Sequence, residues 1–115
     1  MTEAWLELDT ALKKRIRNVL EDPQRPVTEA ELRKLSEEGR ACTLILGGEL
    51  ERLEHRLAEL DRDPASSLGA IADAFRRVHA FRAHLEELDG LLSALEGRAR
   101  QLRTSWVLDA HSRGR

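Results

Sequence analysis

The chain's three prolines, Pro23, Pro26 and Pro64, fall in two short segments and divide its 115 residues into three runs. Proline lacks an amide donor and pushes the preceding residue out of helical geometry, so each segment ends whatever helix reaches it. In the first run Trp5, Leu8, Leu12, Ile16 and Val19 recur at steps of three and four, which predicts a helix over about 3–21. Thr28-Glu29-Ala30-Glu31 then fits a capping box, with Val27 placed to staple onto Leu32. From there Leu32, Leu35, Gly39, Cys42, Leu46, Leu50, Leu53, Leu57 and Leu60 keep helical spacing and predict a second helix over about 28–61. Asp61-Arg62-Asp63-Pro64 reads as a tight connection, with Asp63, Ser66 or Ser67 as the next N-cap and Pro64 in the first turn. A third helix over about 64–109 follows, carrying Leu68, Ile71, Phe75, Val78, Phe81, Leu85, Leu88, Leu92, Leu95, Ala99, Leu102 and Trp106. Gly47-Gly48 and Asp89-Gly90 are where either long helix is weakest, and a break at one of them would give a compact monomer of four or five helices instead.

The expected fold class is therefore all-α: a long antiparallel helical hairpin with a shorter N-terminal helix, a single domain over residues 1–110 and a disordered tail over 111–115. Composition agrees, because aromatic residues make up only 3% of the chain while Leu, Ala, Glu and Arg, good helix formers with little strand preference, dominate it. A β-sandwich or barrel is excluded. The net charge of −2 provides no overall field to steer the chain onto nucleic acid or an anionic membrane. The central uncharged stretch, Ala41 to Gly48, is far short of the ~20 residues of a membrane span, and no membrane partner is expected. With one cysteine, Cys42, and no apolar leader after Met1-Thr2-Glu3-Ala4-Trp5, the expected location is cytoplasmic.

A tight connection makes the two long helices antiparallel neighbours, so a turn near residue 63 sets Leu57 beside Gly69 and Cys42 beside His84. The first helix folds back only as far as the level of Ile45 and Phe81. Beyond it Leu50, Leu53, Leu57, Leu60, Leu68, Ile71 and Phe75 lack a third helix to cover them. Seven large apolar side chains, each worth ~1.5–3 kcal/mol on burial, point to a homodimer, parallel or antiparallel, that completes a coiled-coil-like bundle. Both stripes also change phase: Cys42, Leu46 and Leu50 step by four and four, while Phe75, Val78 and Phe81 step by three and three. On the expected register the two defects meet at Leu46 and Ala80, beside Gly47-Gly48 and Trp5. They mark a bend or gap there, filled by Phe81 or left open as a notch.

Chemistry-bearing constellations are sparse. No His stands three residues after a Glu, so a ferritin-like di-metal site is excluded. Cys42 and His84, with Glu38 and Glu87 a turn away, lack the close spacing of a tetrahedral metal site, and no Gly-rich loop or orienting third residue accompanies them as nucleophile and base. Glu51 and His55 read as a solvated i,i+4 pair. No cofactor, metal or catalytic residue is expected. Arg77 and His84 are separated by six residues, a spacing that resembles the Arg-x4–6-His element of the HEPN ribonuclease family, although Val78 stands where that family favours a polar residue. The resemblance implies a small helical dimer in which Arg77 and His84 cleave RNA at a shared cleft.

Two basic clusters remain: Lys13, Lys14, Arg15 and Arg17 on the first helix, and Arg98, Arg100, Arg103, Arg113 and Arg115 near the end. Both lie toward one end of the bundle, where Lys13, Lys14, Arg17, Arg98, Arg100 and Arg103 could form a patch for phosphates. Leu102, Trp106, Val107 and Leu108 extend past the level at which the second helix begins, and are expected to pack on the first helix or a second protomer, or else to dock a partner. The function expected from this pattern is a non-enzymatic, homodimeric protein–protein interaction or scaffold/adaptor module whose partner is another protein. A nucleic-acid-associated helical subunit and a HEPN-like ribonuclease are the alternatives.

Overall fold

The computed structural model describes residues 2–113, with side chains described from residue 7 to residue 111. It comprises α1 (Thr2–Glu21), α2 (Glu29–Arg62) and α3 (Leu68–Arg113), with no strand among the described residues. Neither Gly47-Gly48 nor Asp89-Gly90 breaks a helix, and no described glycine adopts positive φ. Asp22 closes the turn after α1, its carboxylate accepting from the Gln24 amide at 3.0 Å. Thr28 caps α2 as the box requires, its hydroxyl accepting from the Glu31 amide at 3.1 Å, and Val27 packs against the core cluster that contains Leu32.

At the other end of α2, Ser67 and not Asp63 or Ser66 is the one of the three N-cap candidates that caps α3. Asp63 ends α2, donating its amide to the Glu59 carbonyl, and its carboxylate accepts from Ala65 at 2.9 Å. Ser67 becomes the N-cap of α3, accepting from the Ala70 amide at 3.1 Å. The connection is thus 63–67 and Pro64 lies in a turn, not in a helix. This lengthening shifts the hairpin register: Gly39 packs on Leu92, five residues further along α3 than a turn at 63 would place it. Leu46 consequently does not face Ala80. At its far end α3 runs to Arg113, so His111, Ser112 and Arg113 are helical and not part of a disordered tail. Gly114 and Arg115, like the Trp5 side chain expected beside Gly47-Gly48, lie outside the described residues.

α1 runs antiparallel to α2, with Arg15 on Glu38 at 2.7 Å, and parallel to α3, with Lys13 beside His84 and Glu87. Together they make a rod of 76 × 21 × 17 Å with a radius of gyration of 19.7 Å, against about 13 Å for a compact domain of this size. Leu12, Ile16, Val19, Leu32, Leu35, Leu46, Phe81, Leu88, Leu92 and Leu95 form one buried cluster, all of it in the three-helix half. Phe81 and Leu46 are 4% and 1% exposed, so the level of the phase change is packed, not open. Gly39 sits at the tightest approach, where an added Cβ would lie 2.2 Å from Leu92 Cδ2. No described helix is long and apolar enough to cross a membrane.

Candidate functional site

The direction in which Gly39 faces settles the two sides of the hairpin. Gly39 points at Leu92, so Glu38 and Arg40, each ~100° around the helix from it, lie on opposite sides of the α2–α3 plane. Glu38 meets α1 through Arg15, whereas Arg40 reaches α3 through Glu96 at 2.8 Å. Steps of seven carry that second side along both helices: Arg40, Gly47, Glu54 and Asp61 on α2, and Glu96, Asp89, Arg82, Phe75 and Leu68 on α3. The Arg82–Glu54 pair at 3.6 Å bridges the same side.

The distal half of this face, opposite α1, sets apolar side chains among Glu54, Asp61 and Arg82. Leu50 and Leu57 flank Glu54, Ile71 lies between Leu68 and Phe75, and Leu68 and Phe75 are 85% and 53% exposed. Its proximal half is a groove in which Ser36, Arg40, Glu96, Arg100 and Arg103 surround Leu32 and Ala99. The groove that α1 fills behaves in the opposite way. Followed in sevens to the α1 N-terminus and past it, it presents Glu49, Arg52 and Arg56 on α2 and Arg77 and Asp73 on α3, with Arg52 paired to Glu49 at 2.7 Å. The phase changes therefore mark where the apolar stripe crosses from the α1 side of the hairpin to the opposite side. Of the seven expected interface residues, Leu68 and Phe75 lie on this outer face with Leu50 and Leu57 at its edge, while Leu53 and Leu60, whole heptads from Leu46, and Ile71, three heptads from Leu92, point between the two helices.

A second feature is a charge cluster inside the three-helix half that sequence reasoning missed. Asp9 and Lys13 are 0% and 3% exposed, whereas Leu8, expected on the buried face, is 58% exposed. Lys13 was expected in a surface patch; it is buried because Asp9, Lys13 and Ile16 form the line of α1 that faces α3. Lys13 Nζ lies 2.7 Å from Asp9 Oδ2, 3.4 Å from His84 Nδ1 and 3.4 Å from Glu87 Oε2, and Glu87 also holds Arg17. The 2.7 Å contact is an ion pair outside hydrogen-bond direction, and neither Asp9 oxygen has a hydrogen bond among the described residues. The available signal was the i,i+4 spacing of Asp9 and Lys13 on either side of core Leu12.

Cys42 is half-buried beside this cluster, in a shallow apolar groove of about 300 Å3 with Leu8, Leu12 and Ile45. Burial raises its thiol pKa, the negative charge of Asp9 adds to the rise, and Lys13 opposes it. A reactive cysteine needs the reverse shift. His84 faces α1, with Asp9 Oδ2 3.6 Å from its Nδ1, and Arg77, one heptad away, is exposed. No group of three or more potential metal ligands occurs among the described residues.

The remaining basic side chains are dispersed by internal partners. Arg98 donates to the carbonyls of Pro23 and Arg25 at 3.3 and 3.2 Å, tying the α1–α2 connection to α3. Arg103 pairs with Glu29 at 3.1 Å. Of the six expected in one patch, only Lys14 and Arg100 have neither an ion pair nor a side-chain hydrogen bond among the described residues. Past Arg103, α3 outruns the start of α2, and Trp106, Val107 and Leu108 are 66%, 67% and 61% exposed while Leu102 stays half-buried. Within one chain they do not pack on α1.

Compared with known proteins, the chain matches no family model, no curated protein and no solved structure.

Proposed function

We propose that this chain is a non-enzymatic helical interaction module that works as a homodimer, joined through the distal half of its hairpin, and that serves as a scaffold or adaptor for another protein. The observation that carries this reading is the outer face on which Leu68 and Phe75 are exposed and Leu50 and Leu57 are only half-buried. A contiguous apolar patch on a surface marks an interaction site, because each large apolar side chain contributes ~1.5–3 kcal/mol on full burial. Three further observations support the class. The charged groups of the core are engaged with one another, burial raises the Cys42 thiol pKa, and most arginines that could meet phosphates have partners within the chain. Trp106, Val107 and Leu108, on a helix end clear of the bundle, would contact the second protein.

Sedimentation equilibrium at tens of micromolar tests the dimer, which should give about twice the 13.0 kDa of one chain. Phe75→Asp should return it to a monomer with its helicity intact, since Phe75 is largely outside the core. A wild-type monomer at that concentration would defeat the reading.

A further inference from the structure

Building on the homodimer proposed above, we infer that the two copies lie parallel, with both hairpin turns at the same end and α2 of each chain packed against α3 of the other. The occupied face is the one opposite α1, so neither α1 obstructs the approach.

Two arrangements with two-fold symmetry bring this face onto itself. When the axis crosses the helices, α2 meets α2, α3 meets α3, and the turns lie at opposite ends. When the axis runs along the bundle, α2 meets α3 and the turns lie together. Charge separates the two. Over residues 49–62, α2 carries Glu49, Glu51, Glu54, Glu59 and Asp61 against Arg52, Arg56 and Arg62; over residues 68–82, α3 carries Asp73 against Arg76, Arg77 and Arg82. One segment is net acidic and the other net basic. On the face itself, Glu54 and Asp61 line α2 and Arg82 lines α3. The crossed arrangement sets each helix against a copy with its own sign of charge, whereas the parallel one offers Glu54 a second Arg82 and surrounds the apolar strip with opposite charges, and like-charge juxtaposition is what rejects wrong pairings.

The turn itself supplies the test. Ala65 is exposed in the turn, so in a parallel dimer two such residues sit about one helix spacing apart, ~10 Å. In the crossed dimer they are further apart by the overlapped length, about 20 Å for some thirteen residues. Ala65→Cys and Glu54→Cys are each made in a Cys42→Ser background, treated with a bis-maleimide spanning about 10 Å, and the mass of each untreated sample is measured alongside. The expected result is a 26 kDa species before treatment, with most of the Ala65→Cys protein crosslinked and the Glu54→Cys protein, on diagonally placed helices, crosslinked less. A dimer crosslinked at Glu54→Cys and not at Ala65→Cys, or at neither, overturns the parallel arrangement and leaves the dimer standing. A monomeric mass in both samples overturns the dimer and the arrangement together.

Discussion

The two halves of this rod are built from the same two helices and differ in how they are finished. In the proximal half α1 closes the hairpin, and every large apolar residue below 5% exposure is found there: Ile16, Leu32, Leu46, Val78, Phe81, Leu88 and Leu95 bound or occupy it. In the distal half the only buried apolar residue further out is Ala74, and Leu68 and Phe75 face outward. The difference does not come from α1 being too short. Its groove turns charged at its N-terminus while exposed apolar side chains appear on the opposite face, so a longer α1 would meet Arg52, Arg56 and Asp73 and leave Phe75 uncovered. A hairpin can thus assign one side to its own chain and the other to a second molecule by shifting the phase of its stripe once.

The largest expected contrast is between core and face. Phe81→Ala should cost ~3–5 kcal/mol, and Asp9→Ala a similar amount because Lys13 is left buried without its nearest counter-charge. Phe75→Ala, by contrast, should cost the monomer under ~1 kcal/mol while weakening self-association. Urea denaturation at low and high protein concentration would measure both. If the Phe75→Ala monomer lost as much stability as Phe81→Ala, the two halves would not differ as described. Replacing Asp9 and Lys13 together by Leu and Met should recover most of the Asp9→Ala loss, since apolar substitutes for a buried pair are often neutral. Retention of the full loss would show that the cluster does more than satisfy itself.

Glycines sharpen the comparison at smaller magnitude. Gly39→Ala pushes a methyl group into Leu92 and should cost about 1–2 kcal/mol net. Gly90→Ala meets nothing within 4 Å and should stabilise by ~0.8–1 kcal/mol through helix propensity alone. Equal shifts in melting temperature for the two would contradict the close approach at Gly39.

The smallest effect concerns pH. The folded Cys42 thiol ionises above its ordinary value, so the unfolded chain loses its proton first. Stability should therefore fall slightly as pH rises through the ordinary thiol range, and alkylation of native Cys42 should lag behind that of the unfolded chain. Cys42→Ser removes the slope. An unchanged slope in that variant would assign it to other groups.

Local signals carried most of the fold. The prolines, the Thr28 cap and the steps of three and four predicted all three helices, because each depends on neighbours within two turns. The hairpin register was not legible to the residue. Asp63 serves equally well as a helix N-cap or as a turn residue, and the choice of Ser67 moved the pairing by five positions. Asp9 and Lys13 escaped notice because an i,i+4 pair reads alike whether solvated or buried, and only the angle at which α1 lies on α3 decides it. The outer face was half legible: its residues were named, and the stutter that moves them to the side opposite α1 was visible, but which side α1 takes depends on contacts such as Arg15 with Glu38.

Amide hydrogen exchange across a protein-concentration series tests most directly whether the halves are completed by different molecules. Protection of residues 50–60 and 68–78 should rise from sub-micromolar to tens of micromolar, while that of residues 12–19 and 85–95 stays constant, because association stabilises by mass action only the segments it covers. Distal protection that does not change with concentration would contradict a second copy on that face.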